Sequence, residues 1–168
     1  GGATSFHVGN AFCVLAALIL GGWYGGLAGA IGLGIADMLD PVYITGAPKT
    51  FVLKLCIGLI TGLIAHRIAK INESRDKKYI FRWSMIASAA GLAFNVIADP
   101  LVGFFYNQYI LGQPQQIAEV LAKWSTATTF VNAVLSLIIA GVLYNALRPV
   151  LLKTGIIHPG KINTAGTV

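Results

Sequence analysis

Gly21-Gly22-Trp23-Tyr24-Gly25-Gly26 interrupts an apolar run that extends from about Phe6 to Leu39. A transmembrane helix needs about 20 mostly apolar residues, so the run is too long for one span and somewhat short for two. Four glycines around two aromatics that favour the membrane–water boundary mark a tight turn at a membrane surface. The stretch therefore predicts two short helices, over about 8–21 and 24–39, with one long tilted helix as the alternative.

Working outward, the rest of the chain has the same character. Of its 168 residues, 56% are hydrophobic and 11% charged, and mean hydropathy is +0.74. Soluble domains carry roughly a quarter charged residues, so lipid must be part of the solvent here. Three further spans are predicted over about 50–68, 82–105 and 125–147. A polar loop is expected over 107–123, with a short helix at 115–121, and a frayed tail from Lys153. The expected fold is an all-α integral membrane bundle forming one domain. Asp99-Pro100 reads as a possible helix end, because proline restricts the residue before it.

The twelve lysines and arginines are unevenly placed. Arg67, Lys70, Arg75, Lys77, Lys78 and Arg82 share one loop, and Arg148, Lys153 and Lys161 lie in the tail. The positive-inside rule puts this side, and the C-terminus, in the cytoplasm. Five spans then require an outside N-terminus. With no signal peptide in view, the parity points to a sixth, earlier helix in the parent protein. The basic residues have no interleaved aromatic platform, which argues against nucleic acid.

No catalytic pattern is present: GxSxG, HExxH and phosphate-loop motifs are all missing. His7, His66 and His158 are scattered, and Cys13 and Cys56 sit in apolar runs without metal-ligand spacing. Neither a metal nor a cofactor is expected. Energy for active transport would come from another subunit.

Polar residues cluster at the outer helix ends. They include His7 and Asn10 before the first helix, Asp37 and Asp40 after the second, and Lys49 and Lys54 in the third. Asn95 and Asp99 share a face of the fourth, and Asn132 follows Thr126, Thr128 and Thr129 in the fifth. Intramembrane charge is costly and marks function by default; for Asp37 and Lys54 a structural ion pair is the competing reading. Tyr43, Tyr106, Tyr109 and Trp124 lie at the same level. Aromatic walls with amides and a few charges suit a small, flat, polar heterocycle, although such aromatics also serve as interface anchors. Small residues recur at spacing four through Gly22, Gly26, Ala30 and Gly34. That face serves either packing inside the bundle or a surface that slides against a partner helix.

Three runs carry a family resemblance: Phe6-His7-Val8-Gly9-Asn10-Ala11-Phe12, Leu20 through Gly29, and Ala36-Asp37, followed by Tyr43-Ile44 and Ala47-Pro48-Lys49-Thr50. They resemble an energy-coupling factor (ECF) transporter S-component, the substrate-binding subunit, of the riboflavin-transporter-like branch with hydroxymethylpyrimidine and pyridoxine members. The resemblance is strongest over about 6–70. It implies a six-helix fold of which helices two to six are visible, in the plasma membrane of a bacterium. It also implies an outward-facing vitamin pocket, hydroxymethylpyrimidine being favoured over pyridoxine or riboflavin, and release by toppling in the membrane. The implied partners are a transmembrane coupling subunit and two ATP-binding cassette ATPases. Carried over by position, the expected binding residues are His7, Asn10, Asp40, Tyr43, Lys49, Asn95, Asp99 and Asn132, with Tyr106 added as an aromatic that would stack on the ring, and by analogy Gly22, Gly26, Ala30 and Gly34 are a candidate coupling surface. A stand-alone channel or a membrane scaffold is the alternative.

Overall fold

A computed structural model describes residues 8–157. Five helices make up the described chain: α1 (Gly9–Leu20), α2 (Gly22–Leu39), α3 (Ala47–Gly62), α4 (Lys77–Phe105) and α5 (Gln115–Lys153). Single π-type turns extend α3 through Leu63–Ile68 and α4 through Tyr106–Ile110. Among the described residues there is no strand.

The turn that decides the fold is tighter than its sequence suggests. It is one residue, Gly21, at φ +86 and ψ 168, a conformation that only glycine adopts without strain. Gly21 N donates to Ala17 O, closing α1, and Gly21 O accepts from Gly25 N, opening α2. Trp23 and Tyr24 are already helical and exposed.

The first two helices differ in how the bundle treats them. α1 packs on α2, α3 and α5 and is the most enclosed helix, with Ala11, Val14, Ala17 and Leu18 fully buried. At 12 residues it is about 18 Å long, short of the ~30 Å hydrocarbon layer. Three segments are long and apolar enough to cross a membrane: Ile44–Ile68, Lys77–Ile110 and Gln115–Lys153. Their outer faces present Ile97, Leu101, Phe130, Ile138 and Val142. Water does not tolerate so extensive an apolar surface on a monomer, whereas lipid does.

Two boundaries depart from the sequence reading. The expected loop over 107–123 is mostly helix, because α5 begins at Gln115 directly after Pro114. Gln115 Nε2 donates to Glu119 Oε1 at 2.9 Å, and Ala118 one turn on is fully buried. Asp99-Pro100 does not end α4; Pro100 lies inside it, buried, and the helix continues to Phe105. The proline lacks an N–H, so one carbonyl of the preceding turn loses its helical donor.

The glycine-rich face of α2 packs within the bundle. Gly22 and Gly26 meet Gly58 and Gly62 of α3, so that a Cβ on Gly58 would overlap Gly26 backbone and one on Gly62 would overlap Gly22 backbone. Two small-xxx-small pairs thus face each other across one crossing, which lets the backbones touch and gain dispersion contacts that lipid cannot supply. Ala30 is fully buried, and Gly34 faces Phe51. Of the two readings left open by the sequence, intrabundle packing is the one these contacts satisfy.

Candidate functional site

The helix ends opposite the basic loop enclose a cavity of about 310 Å³ to which all five helices contribute. α1 supplies Gly9 and Asn10, and α2 supplies Leu33, Ala36, Asp37 and its C-terminal Asp40. Tyr43 enters from the α2–α3 link, and Lys49, Thr50 and Lys54 line one wall from α3. Asp99 of α4 and Thr128, Thr129 and Asn132 of α5 complete it. Six of the residues singled out in the sequence therefore meet in one place: Asn10, Asp40, Tyr43, Lys49, Asp99 and Asn132.

Two rungs join α3 to α4 along the cavity wall. In the outer rung Lys49 Nζ donates to Asp99 Oδ1 at 3.0 Å, and Asp99 Oδ2 accepts from Ser125 Oγ of α5 at 2.5 Å. In the inner rung Lys54 Nζ reaches Asn95 Oδ1 at 3.4 Å. The spacing explains the ladder: Asn95 and Asp99 are one turn apart on α4, and Lys49 and Lys54 lie about 7.5 Å apart along α3 at 1.5 Å per residue. Asn95 is fully buried and stands behind Lys54 rather than on the cavity surface. Its Nδ2, and Oδ1 of Asn10, have no hydrogen-bond partner among the described residues.

The Asp37–Lys54 ion pair that the sequence allowed does not form. Among the described residues the ion pairs are Lys49–Asp99 and an exposed Lys70–Glu73. Asp37 and Lys54 instead face the same cavity. Threonines on α5 turn their hydroxyls to the helix, Thr128 to Trp124 O and Thr129 to Ser125 O.

Tyr106 occupies a separate position. It lines a smaller adjoining pocket of about 70 Å³, which shares Asp37, Tyr43, Lys49 and Thr50 with the main cavity. Its hydroxyl donates to Thr45 O at 2.7 Å, tying the end of α4 to the α2–α3 link. Tyr109 and Trp124 are not cavity walls: they are 72% and 66% exposed, and Tyr109 stacks on Phe105 on the outside. They suit the interface-anchor role. His7 lies outside the described residues.

Sequence reasoning placed Asp37, Lys54, Thr128 and Thr129 at this level but left them out of the binding set, and it passed over Thr50 and Ser125. Helical spacing was the available signal: Thr50 and Lys54 are one turn apart on α3, as Ser125, Thr129 and Ala133 are on α5.

The core below the cavity is packed. Ile57, Leu92, Ala87, Ile80 and Tyr144 belong to one buried cluster that continues to Ile71 and Ile157 at the basic end. Arg148 Nη2 donates to Ile71 O at 3.2 Å, and His66 Nε2 lies 3.1 Å from Ala17 O, tying the basic loop to α5 and α1. Cys13 Sγ donates to Lys54 O at 3.3 Å and is a packing residue. Among the described residues no group of three histidine, cysteine, aspartate or glutamate side chains could hold a metal ion.

A family model, described as "ECF-type riboflavin transporter, S component", matches residues 1–149. No curated protein and no solved structure matches the chain.

Proposed function

From the premise that the chain belongs to the ECF-type riboflavin transporter S-component family, a family of substrate-binding transporter subunits rather than enzymes, we propose that it captures a small, flat, polar heterocycle of the vitamin class in the cavity between its five helix ends. The observation that carries this reading is the polar cavity itself. Asn10, Asp40, Lys49, Asp99 and Asn132 come one each from α1, the C-terminal end of α2, α3, α4 and α5 and converge on one space inside an otherwise apolar bundle. Burying such groups in a membrane protein is costly unless they are used. Tyr43 supplies a ring face for stacking. The amides and charges supply hydrogen bonds to ring substituents.

Two observations bear on the ligand's size. The description of the family model favours riboflavin. The cavity, at about 310 Å³, is at the small end of the roughly 300–1,000 Å³ typical of ligand pockets, which favours the single rings hydroxymethylpyrimidine and pyridoxine. Mass spectrometry of the small molecule that co-purifies with the protein decides between them. A protein saturated with none of these rings, and binding none when they are added, would refute the reading.

Orientation and energy follow from the same layout. The cavity opens at the end opposite Arg67, Lys70, Arg75, Lys77, Lys78 and Arg82, so the positive-inside rule points it outward. Among the described residues, the cluster from Ile57 to Ile157 packs the bundle below the cavity. Release inside therefore calls for reorientation of the whole subunit, driven by a coupling subunit and two ATPases, rather than for a channel. Uptake into liposomes by this chain alone, without partners or ATP, would overturn that part of the proposal.

A further inference from the structure

Lys54 is a buried lysine that forms no ion pair among the described residues. It is 7% exposed in the middle of the bundle, on the wall of the cavity. The one carboxylate on the facing helix is already engaged: Asp99 is held on one oxygen by Lys49 and on the other by Ser125. No carboxylate forms an ion pair with Lys54 among the described residues. Its ammonium, with three protons to donate, has one long side-chain hydrogen bond, to Asn95 Oδ1. That amide is neutral, and its own Nδ2 is left without a partner. A buried ammonium with one amide hydrogen bond, and with the Asp99 and Asp37 carboxylates acting on it only from beyond ion-pair distance, is poorly compensated in the empty protein.

The charges are also ordered by depth. Asp40 closes the end of α2, and Asp37 lies one turn in. Lys54 lies two turns into α3, with Asn132 and Asn10 on neighbouring walls. A ligand thus meets Asp40, Asp37 and the Lys49 ammonium, which is already paired with Asp99, before it meets the unpaired ammonium of Lys54 at the bottom.

We infer that Lys54 is the specificity-determining residue of the cavity, and that it selects a ring whose inner edge is a hydrogen-bond acceptor, such as a carbonyl or an unprotonated ring nitrogen, and whose outer edge carries donors toward Asp37 and Asp40. The inference rests on the proposed capture of a flat heterocycle and deepens it. An acceptor on the inner edge gives the ammonium the partner it lacks. A ring with only C–H on that edge leaves it uncompensated. Phosphate on the outer edge is opposed by Asp37 and Asp40, because like charges at short range disfavour binding.

The test uses purified full-length protein in lipid nanodiscs, with riboflavin, hydroxymethylpyrimidine and pyridoxine as probes in calorimetric titrations. Lys54→Met keeps the length of the side chain and removes its charge; Lys54→Gln keeps a neutral donor. Losing a charge-assisted hydrogen bond weakens binding of the preferred probe by about 10- to 100-fold in Lys54→Met. The glutamine variant falls between the two. An analogue of the preferred probe with C–H in place of its edge acceptor binds wild type and Lys54→Met equally. The ligand-free Lys54→Met protein melts at the same temperature as wild type or higher, a result that a structural tether would not give. Equal affinity of wild type and Lys54→Met for the preferred probe, or a lower melting temperature of the empty variant, overturns the assignment of Lys54 and leaves the cavity reading standing. Failure of wild type to bind any of the three probes overturns the cavity reading and this inference together.

Discussion

The Lys49–Asp99–Ser125 cluster is the joint that holds the cavity's walls in register, and its energetics are asymmetric. Asp99→Asn preserves shape but removes the charge that balances Lys49. The two side chains are 19% and 13% exposed, so most of the desolvation cost of Lys49 then stands uncompensated. Breaking a buried pair from one side costs about 3–5 kcal/mol, and the residual exposure places this case near the lower end. Lys49→Met is milder, because Asp99 keeps the Ser125 hydroxyl at 2.5 Å and a hydrogen bond to a charged group is worth about 1.5–3 kcal/mol. The expected losses are about 3 kcal/mol for Asp99→Asn and about 1–2 kcal/mol for Lys49→Met. The double variant should lose less than the sum, with a coupling of about 1–3 kcal/mol. Reversible unfolding of the four proteins by denaturant in mixed micelles measures the cycle. A coupling below about 0.5 kcal/mol, the level expected of independent sites, would refute the pairing, as would a larger loss from Lys49→Met than from Asp99→Asn.

The glycine crossing, the amide wall and the outer aromatics each give a separate expectation. Gly62→Val puts a branched side chain onto Gly22 backbone, so α2 and α3 must separate, and thermal stability should fall by at least the about 1–3 kcal/mol typical of overpacking; an unchanged melting temperature would show that the helices do not touch there. Asn132→Leu should weaken vitamin binding about 5- to 20-fold, the worth of roughly one neutral hydrogen bond plus lost shape complementarity, with calorimetry as the assay and wild-type affinity as the contrary result. Trp124→Ala should leave affinity within about twofold, because the ring is 66% exposed and away from the cavity and such surface changes are usually within about 0.5 kcal/mol; a tenfold loss in the same titration would place it at the site.

Much of this molecule was legible because lipid imposes a simple grammar. Apolar runs of span length had to be helices, and Gly21-Gly22-Trp23-Tyr24-Gly25-Gly26 marked a turn in the first run, although not that Gly21 alone makes it. The convergence of Asn10, Asp40, Tyr43, Lys49, Asp99 and Asn132 was also readable, because all lie at helix ends on one side and intramembrane polarity is rarely idle. Depth was not readable. Residues from Asn107 to Lys123 looked like a polar loop holding a short helix at 115–121, whereas α5 begins at Gln115, runs on without a break into the last span and buries Ala118. Partner choice was not readable either. Lys49, Lys54, Asp37 and Asp99 offer several pairings, and which carboxylate meets which lysine depends on the rotation of α3 against α4. The glycines of α2 announced close approach but not to what; the answer lay in Gly58 and Gly62, whose own spacing of four carries the complementary signal.

The most direct measurement of the central claim is a binding titration of wild type beside a variant whose cavity is filled. Ala36 lines the cavity from α2 and is exposed to it rather than packed, so Ala36→Trp can occupy the ligand's space without entering the core. The expected result is that wild type in nanodiscs binds one molecule of riboflavin, hydroxymethylpyrimidine or pyridoxine per chain, and that Ala36→Trp melts like wild type but binds none of them. Saturable binding of the same ring by Ala36→Trp, with wild-type affinity and stoichiometry, would contradict it.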